Sequence, residues 1–280
     1  MLATRSPLLM RVAALHLALL LVALVGLLID PRVITGAPAW LKPAKFAASV
    51  AVYTWSLAWM LEHVPPTRTL QRATTATGVI LTLEVLLIFA QAARGTTSHF
   101  NVDTPLDAAI FSAMGAGILI AWIASMVILW QHLRSPAVDR GMALAFRLGL
   151  ALNIVGASVG WTMTRPYPGQ VAAITRGDRP RIVGSHTVGG QDGGPGLPVT
   201  GWSTAHGDLR VAHFVGMHAL QLLPLLLLGV RRLRGVPPEH SSDAFERRTL
   251  ALLTAGYAAT VVALFVQALA GHPLFTPATG

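Results

Sequence analysis

Residues Gly207 to Pro224 read GDLRVAHFVGMHALQLLP. The run has the apolar density of the start of a membrane helix, yet it carries Arg210, His213, His218 and Gln221. Ionisable side chains inside a membrane span cost free energy and mark functional sites by default. At roughly 100° per residue, Arg210, His213, Met217, Gln221 and Pro224 fall within one arc of about 80°, with His218 at its edge. A polar stripe on an apolar rod is expected to face protein or water. This helix therefore predicts a membrane bundle with a site built against it.

The rest of the chain agrees. Of its 280 residues 53% are hydrophobic and 12% are charged, about half the charge of a soluble protein. Apolar runs of about 20 residues recur, so the expected fold is an all-α, polytopic membrane protein forming one domain over residues 1–280. The +9 net charge would suggest nucleic acid in a soluble protein. Here the basic residues lie mainly between spans, so no nucleic-acid partner is expected and the bilayer is. The absence of cysteine excludes disulfides, thiolate metal sites and covalent haem attachment.

Seven transmembrane helices are expected, over residues 8–29, 43–61, 70–93, 104–130, 142–162, 208–230 and 243–270. The first resembles a signal peptide in position, with small residues at Gly36, Ala37 and Ala39. Its apolar run is long for a signal, so a retained helix is expected. Thr104, Pro105 and Asp107 form a helix-start signal. Residues 165–206 make a long Gly/Pro-rich loop between helices 5 and 6, a candidate lid. A short hairpin is expected over 172–188, around Arg176-Gly177-Asp178. The arginines of 231–248 place that end inside, which makes the amino terminus cytoplasmic and the carboxyl terminus exterior.

Polar groups gather toward the exterior side. Glu84 lies roughly 15 Å deep on the third span, with Gln91 on the same face roughly 5 Å deep. His213 and His218 come at roughly 8 and 15 Å on the sixth. Lys45, Arg210 and Gln221 join them as candidate binding groups, and His99 sits in the loop RGTTSHFNVD. A carboxyl at Glu84's depth must be protonated, paired or solvated. The economical arrangement puts spans three and six side by side, with Glu84 within roughly 8 Å of His213 or His218 and Gln91 above them.

Three functions compete. The first is a membrane enzyme acting on a lipid or other small apolar substrate. Its metal, zinc or copper, would be held by His99, His213 and His218, with Glu84 and His218 catalytic. The layout resembles the seven-helix zinc hydrolases of the alkaline ceramidase and adiponectin-receptor group. Those place paired histidines as HxxxH on their last helix, whereas here His213 and His218 are spaced HxxxxH on the sixth of seven. The second is a b-type haem protein using an exterior histidine pair. The third is a transporter or ligand-binding membrane protein using Glu84 and His218. The lack of an internal repeat weighs against transport.

Overall fold

The computed structural model describes residues 6–137, 139–236 and 244–275. Among the described residues seven long helices run between two ends: α1 (Pro7–Ile29), α2 (Leu41–Leu61), α3 (Arg68–Ala93), α4 (Pro105–Arg134), α5 (Arg140–Met163), α7 (Leu209–Leu233) and α8 (Ala244–Leu269). A short helix, α6 (Pro168–Thr175), lies in the long loop. Among the described residues, six helices are long and apolar enough to cross a membrane, and α2 is the long helix outside that set.

The helix ends follow local chemistry. Thr67 accepts from Leu70 N–H at the start of α3, and Asp139 from Met142 N–H at the start of α5. Thr104 does the same for Asp107 N–H and donates its hydroxyl to the Asp107 carboxylate at 2.6 Å. Each satisfies one of the unpaired amides of a helix start. Between α1 and α2 the strands β1 (Val33–Ile34) and β2 (Ala37–Pro38) form a hairpin. Its turn puts Thr35 and Gly36 at positive φ, the geometry of a two-residue type I′ connection.

Packing divides the bundle into pairs: α1 with α2, α3 with α4, and α5 with α7, with α8 laid against α7. The α5–α7 pair is the closest. A Cβ added at Gly156 would stand 2.4 Å from the Gly216 backbone, and one at Gly149 would stand 2.8 Å from the Ala219 carbonyl. Glycines seven residues apart on α5 thus let two backbones meet. Asn153, between them, donates to the Met217 carbonyl at 2.6 Å. Spans three and six of the sequence reading, α3 and α7, are not principal packing partners: α3 packs on α4 and α7 on α5 and α8. Small residues bind α7 to α5 instead.

The two ends differ. At one, Arg231 of α7 is buried between Asp139 and Glu246. At the other, residues 164–206 fold back over the helices. The hairpin expected over 172–188 is absent; its first part is the helix α6. Pro168 occupies its first turn and Gln170 Oε1 accepts from Tyr167 N–H, a helix start in a loop read for turns. Buried Gln170 also pins the segment that follows, donating to the Ile182 and Gly184 carbonyls and accepting from Gly184 N–H. Strand β3 (Thr187–Val188) pairs with β4 (Gly207–Asp208), which leads directly into α7.

Candidate functional site

Beneath this loop lies a cavity of about 1020 Å³. Its walls come from the start of α2 (Lys42, Lys45, Phe46), the end of α3 (Ile88, Ala92) and the α3–α4 loop (Thr96 to Phe100). The long loop (Ser185, His186, Asp192, Leu197) and Arg210 of α7 close it. Glu84 is one turn deeper than Ile88 on α3 and only 4% exposed. Its Oε1 lies 3.6 Å from His99 Nε2. The other ring nitrogen of His99, Nδ1, is 3.0 Å from Ser98 Oγ. The imidazole, which lines the cavity, is therefore held between a hydroxyl and a buried carboxyl.

Phe100 explains how a loop residue is aimed so deep. It adopts φ 63°, a left-handed conformation that is rare for a bulky side chain. The loop holds it there: the Phe100 carbonyl accepts from Val183 N–H at 2.8 Å and its ring meets Phe111 and His186 edge-on. Gly184 sits against that ring. A Cβ there would be 2.8 Å from it, and the φ of +104° already favours glycine.

A second imidazole–carboxyl pair lies in the wall. His186 Nδ1 and Asp192 Oδ2 are 2.6 Å apart. Asp192 also accepts from the amides of His186 and Thr187 and from the hydroxyls of Ser185 and Thr187. Burial opposes its ionisation, but these bonds, led by that from His186, hold its carboxyl well below the usual range. Burial pushes His186 down despite Asp192, with Arg210 and Lys42 adding to the effect. His99 is pushed further down, first by burial and then by the positive charge of Lys42 and by the imidazoles of His186 and His213 when these are protonated. Both rings are neutral near pH 7.

The remaining candidates divide. Lys45 and Arg210 line the cavity. Lys45 Nζ donates to the Thr200 carbonyl at 3.0 Å, while Arg210 bonds Asp208 and the Gly201 carbonyl. His213 donates Nδ1–H to the Gly156 carbonyl at 2.8 Å. Gln91, expected to join Glu84 and its histidine, is instead engaged by other partners: it donates to Asp107 at 2.9 Å and accepts from Arg94. It ties α3 to the start of α4, because its amide nitrogen serves Asp107 and its oxygen serves Arg94, which itself bonds Asp107. Gln221 donates to Ser56 of α2. His218 bonds the Phe214 carbonyl within its own helix and stacks on the Phe214 ring at 4.0 Å, on an exposed flank. Its five-residue offset sets it about 140° around the helix from His213.

The expected ligand set of His99, His213 and His218 is not assembled. Among the described residues no three histidine or carboxylate side chains converge closely enough to hold a metal ion. The sequence reading passed over Lys42 and Ser98 at the cavity. The signal available for both was their place in WLKPAKF and RGTTSHFNVD. Compared with protein-family models, with curated proteins and with solved structures, the chain matches none.

Proposed function

We propose that this chain is a seven-span membrane protein that binds a small molecule in a pocket opening to the exterior. Its amino terminus would be cytoplasmic and its carboxyl terminus exterior. The observation that carries the reading is the 1020 Å³ cavity lined by His99, with Glu84 buried behind that imidazole. That volume lies at the upper end of small-molecule sites, and mixed apolar and polar walls are their usual composition. The Gly/Pro-rich loop acts as the cover, and His99, Ser98 and Lys42 provide the polar contacts that a bound molecule would meet.

The seventh span is α2. Its polar residues face neighbouring helices: Tyr53 bonds Ser125, Ser56 accepts from Gln221, and Trp59 packs on Phe146. A helix enclosed in this way needs less apolar surface than one facing lipid. The arginine-rich end then lies inside, as the distribution of basic residues favours.

Cysteine labelling tests both parts, because the native chain has no cysteine. In sealed vesicles of known orientation, Thr97→Cys should react with an impermeant maleimide from the exterior. Arg232→Cys should react only after permeabilisation. The opposite pattern sinks the orientation. A small molecule retained in native mass spectrometry should be displaced when Thr97→Cys carries a bulky maleimide; equal retention sinks the pocket.

One observation favours the metal-dependent enzyme as a second reading. His186 and His213 each engage Nδ1 with an oxygen, which leaves Nε2 as a lone-pair donor, the usual preparation of a metal-ligating imidazole. Zinc or copper in stoichiometric amount by elemental analysis, lost in His186→Ala, would select that reading.

A further inference from the structure

The charge in the cavity wall is unbalanced in one place. Four cations line it (Lys42, Lys45, Arg181 and Arg210) against one lining acid, Asp192. Three of these cations are already engaged. Arg181 bonds Asp103 through two nitrogens, Arg210 bonds Asp208 likewise, and Lys45 is held by the Thr200 carbonyl. Lys42 differs. Among the described residues its ammonium has no carboxylate or carbonyl within hydrogen-bonding distance; it stands over the Phe46 ring, 5.9 Å from the centroid. The acids whose charge reaches it are Glu84 and Asp192. Asp192 is saturated by its own loop, and Glu84 is turned to His99. An ammonium left over in a partly desolvated wall calls for an anion.

The neighbourhood fits such a ligand. Lys42 lies in the first turn of α2, whose N-cap residue Trp40 supplies no side-chain cap, and Leu41 and Pro43 line the same cavity. The positive end of a helix dipole therefore adds to the lysine. Beside it the wall turns apolar, through Phe46, Ile88, Ala92 and Leu197. We propose that the cavity takes an organic anion, a carboxylate or phosphate monoester on a short apolar tail. Lys42 anchors the charged head, and Glu84 serves as the countercharge that the head displaces. This rests on the reading of the cavity as a ligand pocket and names the class of ligand for it.

The test uses the full chain in nanodiscs of neutral phosphatidylcholine, titrated with hexyl phosphate, hexanol and hexylammonium. Hexyl phosphate should bind, and the other two should bind at least tenfold more weakly. Lys42→Gln should weaken hexyl phosphate at least tenfold and Lys42→Arg should restore most of it. Arg176→Gln, on an exposed pair with Asp178 outside the cavity, should change nothing. Glu84→Gln should tighten binding severalfold at pH 8, because it removes the competing negative charge. Adding phosphatidic acid to the disc separates two sources of the same chemistry. Competition with hexyl phosphate identifies a lipid headgroup, and its absence a soluble anion. If hexanol or hexylammonium binds as well as hexyl phosphate, or Lys42→Gln binds as the parent does, the anion is overturned while the pocket stands. If no probe binds, the anion and the pocket fall together.

Discussion

Both ends of the bundle bury charge, and they resolve it in opposite ways. At the arginine end, the guanidinium of Arg231 is 3% exposed and forks onto two carboxylates. It meets Glu246 through Nε and Nη2, both at 3.0 Å, and Asp139 through Nη1 at 2.5 Å and Nη2 at 2.8 Å. Planar bidentate geometry on both sides closes that cluster. It joins the start of α5, the end of α7 and the start of α8, which connects three helices with one side chain. At the loop end the charges surround a void. Glu84 meets His99 at ion-pair distance only, and Lys42 meets an aromatic ring. The first cluster is finished by the protein itself. The second leaves hydrogen-bonding capacity facing a cavity, as expected where another molecule completes the set.

If the contrast is right, breaking the closed cluster should cost the most stability. Arg231→Met leaves two carboxylates buried without their cation, a loss of about 3–5 kcal/mol for such pairs. Denaturant unfolding of the detergent-solubilised protein would measure it, and a change under 1 kcal/mol would show the cluster to be peripheral. A smaller loss is expected at the α5–α7 contact. Gly156→Ala places a Cβ 2.4 Å from the Gly216 backbone, an overpacking of about 1–3 kcal/mol. Since neither end is touched, ligand binding should survive it where the protein folds. Coincident loss of binding at full stability would mean that the helix pair shapes the pocket.

Acid should loosen the loop end first. His99 and His186 both lie below the ordinary imidazole value in the folded protein. The unfolded segment therefore binds more protons once pH falls below about 6.5, and folding loses up to about 1.4 kcal/mol per pH unit for each ring. Asp192, also depressed, extends the loss to more acid pH, because its stabilisation is present above its unfolded value and fades beneath it. Limited proteolysis of residues 164–206 should accelerate between pH 7 and 5. Asp192→Asn should accelerate it already at pH 7. A loop equally protected at both pH values would break the link between these rings and its docking.

These expectations also mark what the sequence could tell. The helices were legible because lipid demands long apolar runs, and the start of α4 was legible because Thr104 and Asp107 are local partners in a cap. The site was half legible. Burial cost singled out Glu84 from its position alone, and Arg210 and Lys45 from theirs. Its partner was not legible, because His99 reaches Glu84 only through the left-handed turn at Phe100 and the loop strand that holds it. Helical periodicity brought His218 toward the stripe but could not show that Phe214 would take it. Gln91 and Glu84 do share a face, yet Asp107, sixteen residues on, and Arg94, one turn away, claim the amide. Long-range partners of loop residues leave no period in the sequence.

The smallest stability effect is the most discriminating. Glu84 is as buried as members of the arginine cluster, so burial alone would predict a costly substitution. Its contacts predict otherwise. The carboxylate has no short hydrogen bond to lose among the described residues, only the 3.6 Å approach to His99, and glutamine keeps the volume. Glu84→Gln should therefore change unfolding free energy by about 1 kcal/mol or less, within the range of substitutions that break no named contact. The same change alters the charge facing Lys42, so its effect should surface in binding rather than in folding. If Glu84→Gln destabilises as strongly as Arg231→Met and leaves the affinity for hexyl phosphate unchanged, the two ends are alike. The cavity would then be a packing void beside a structural pair.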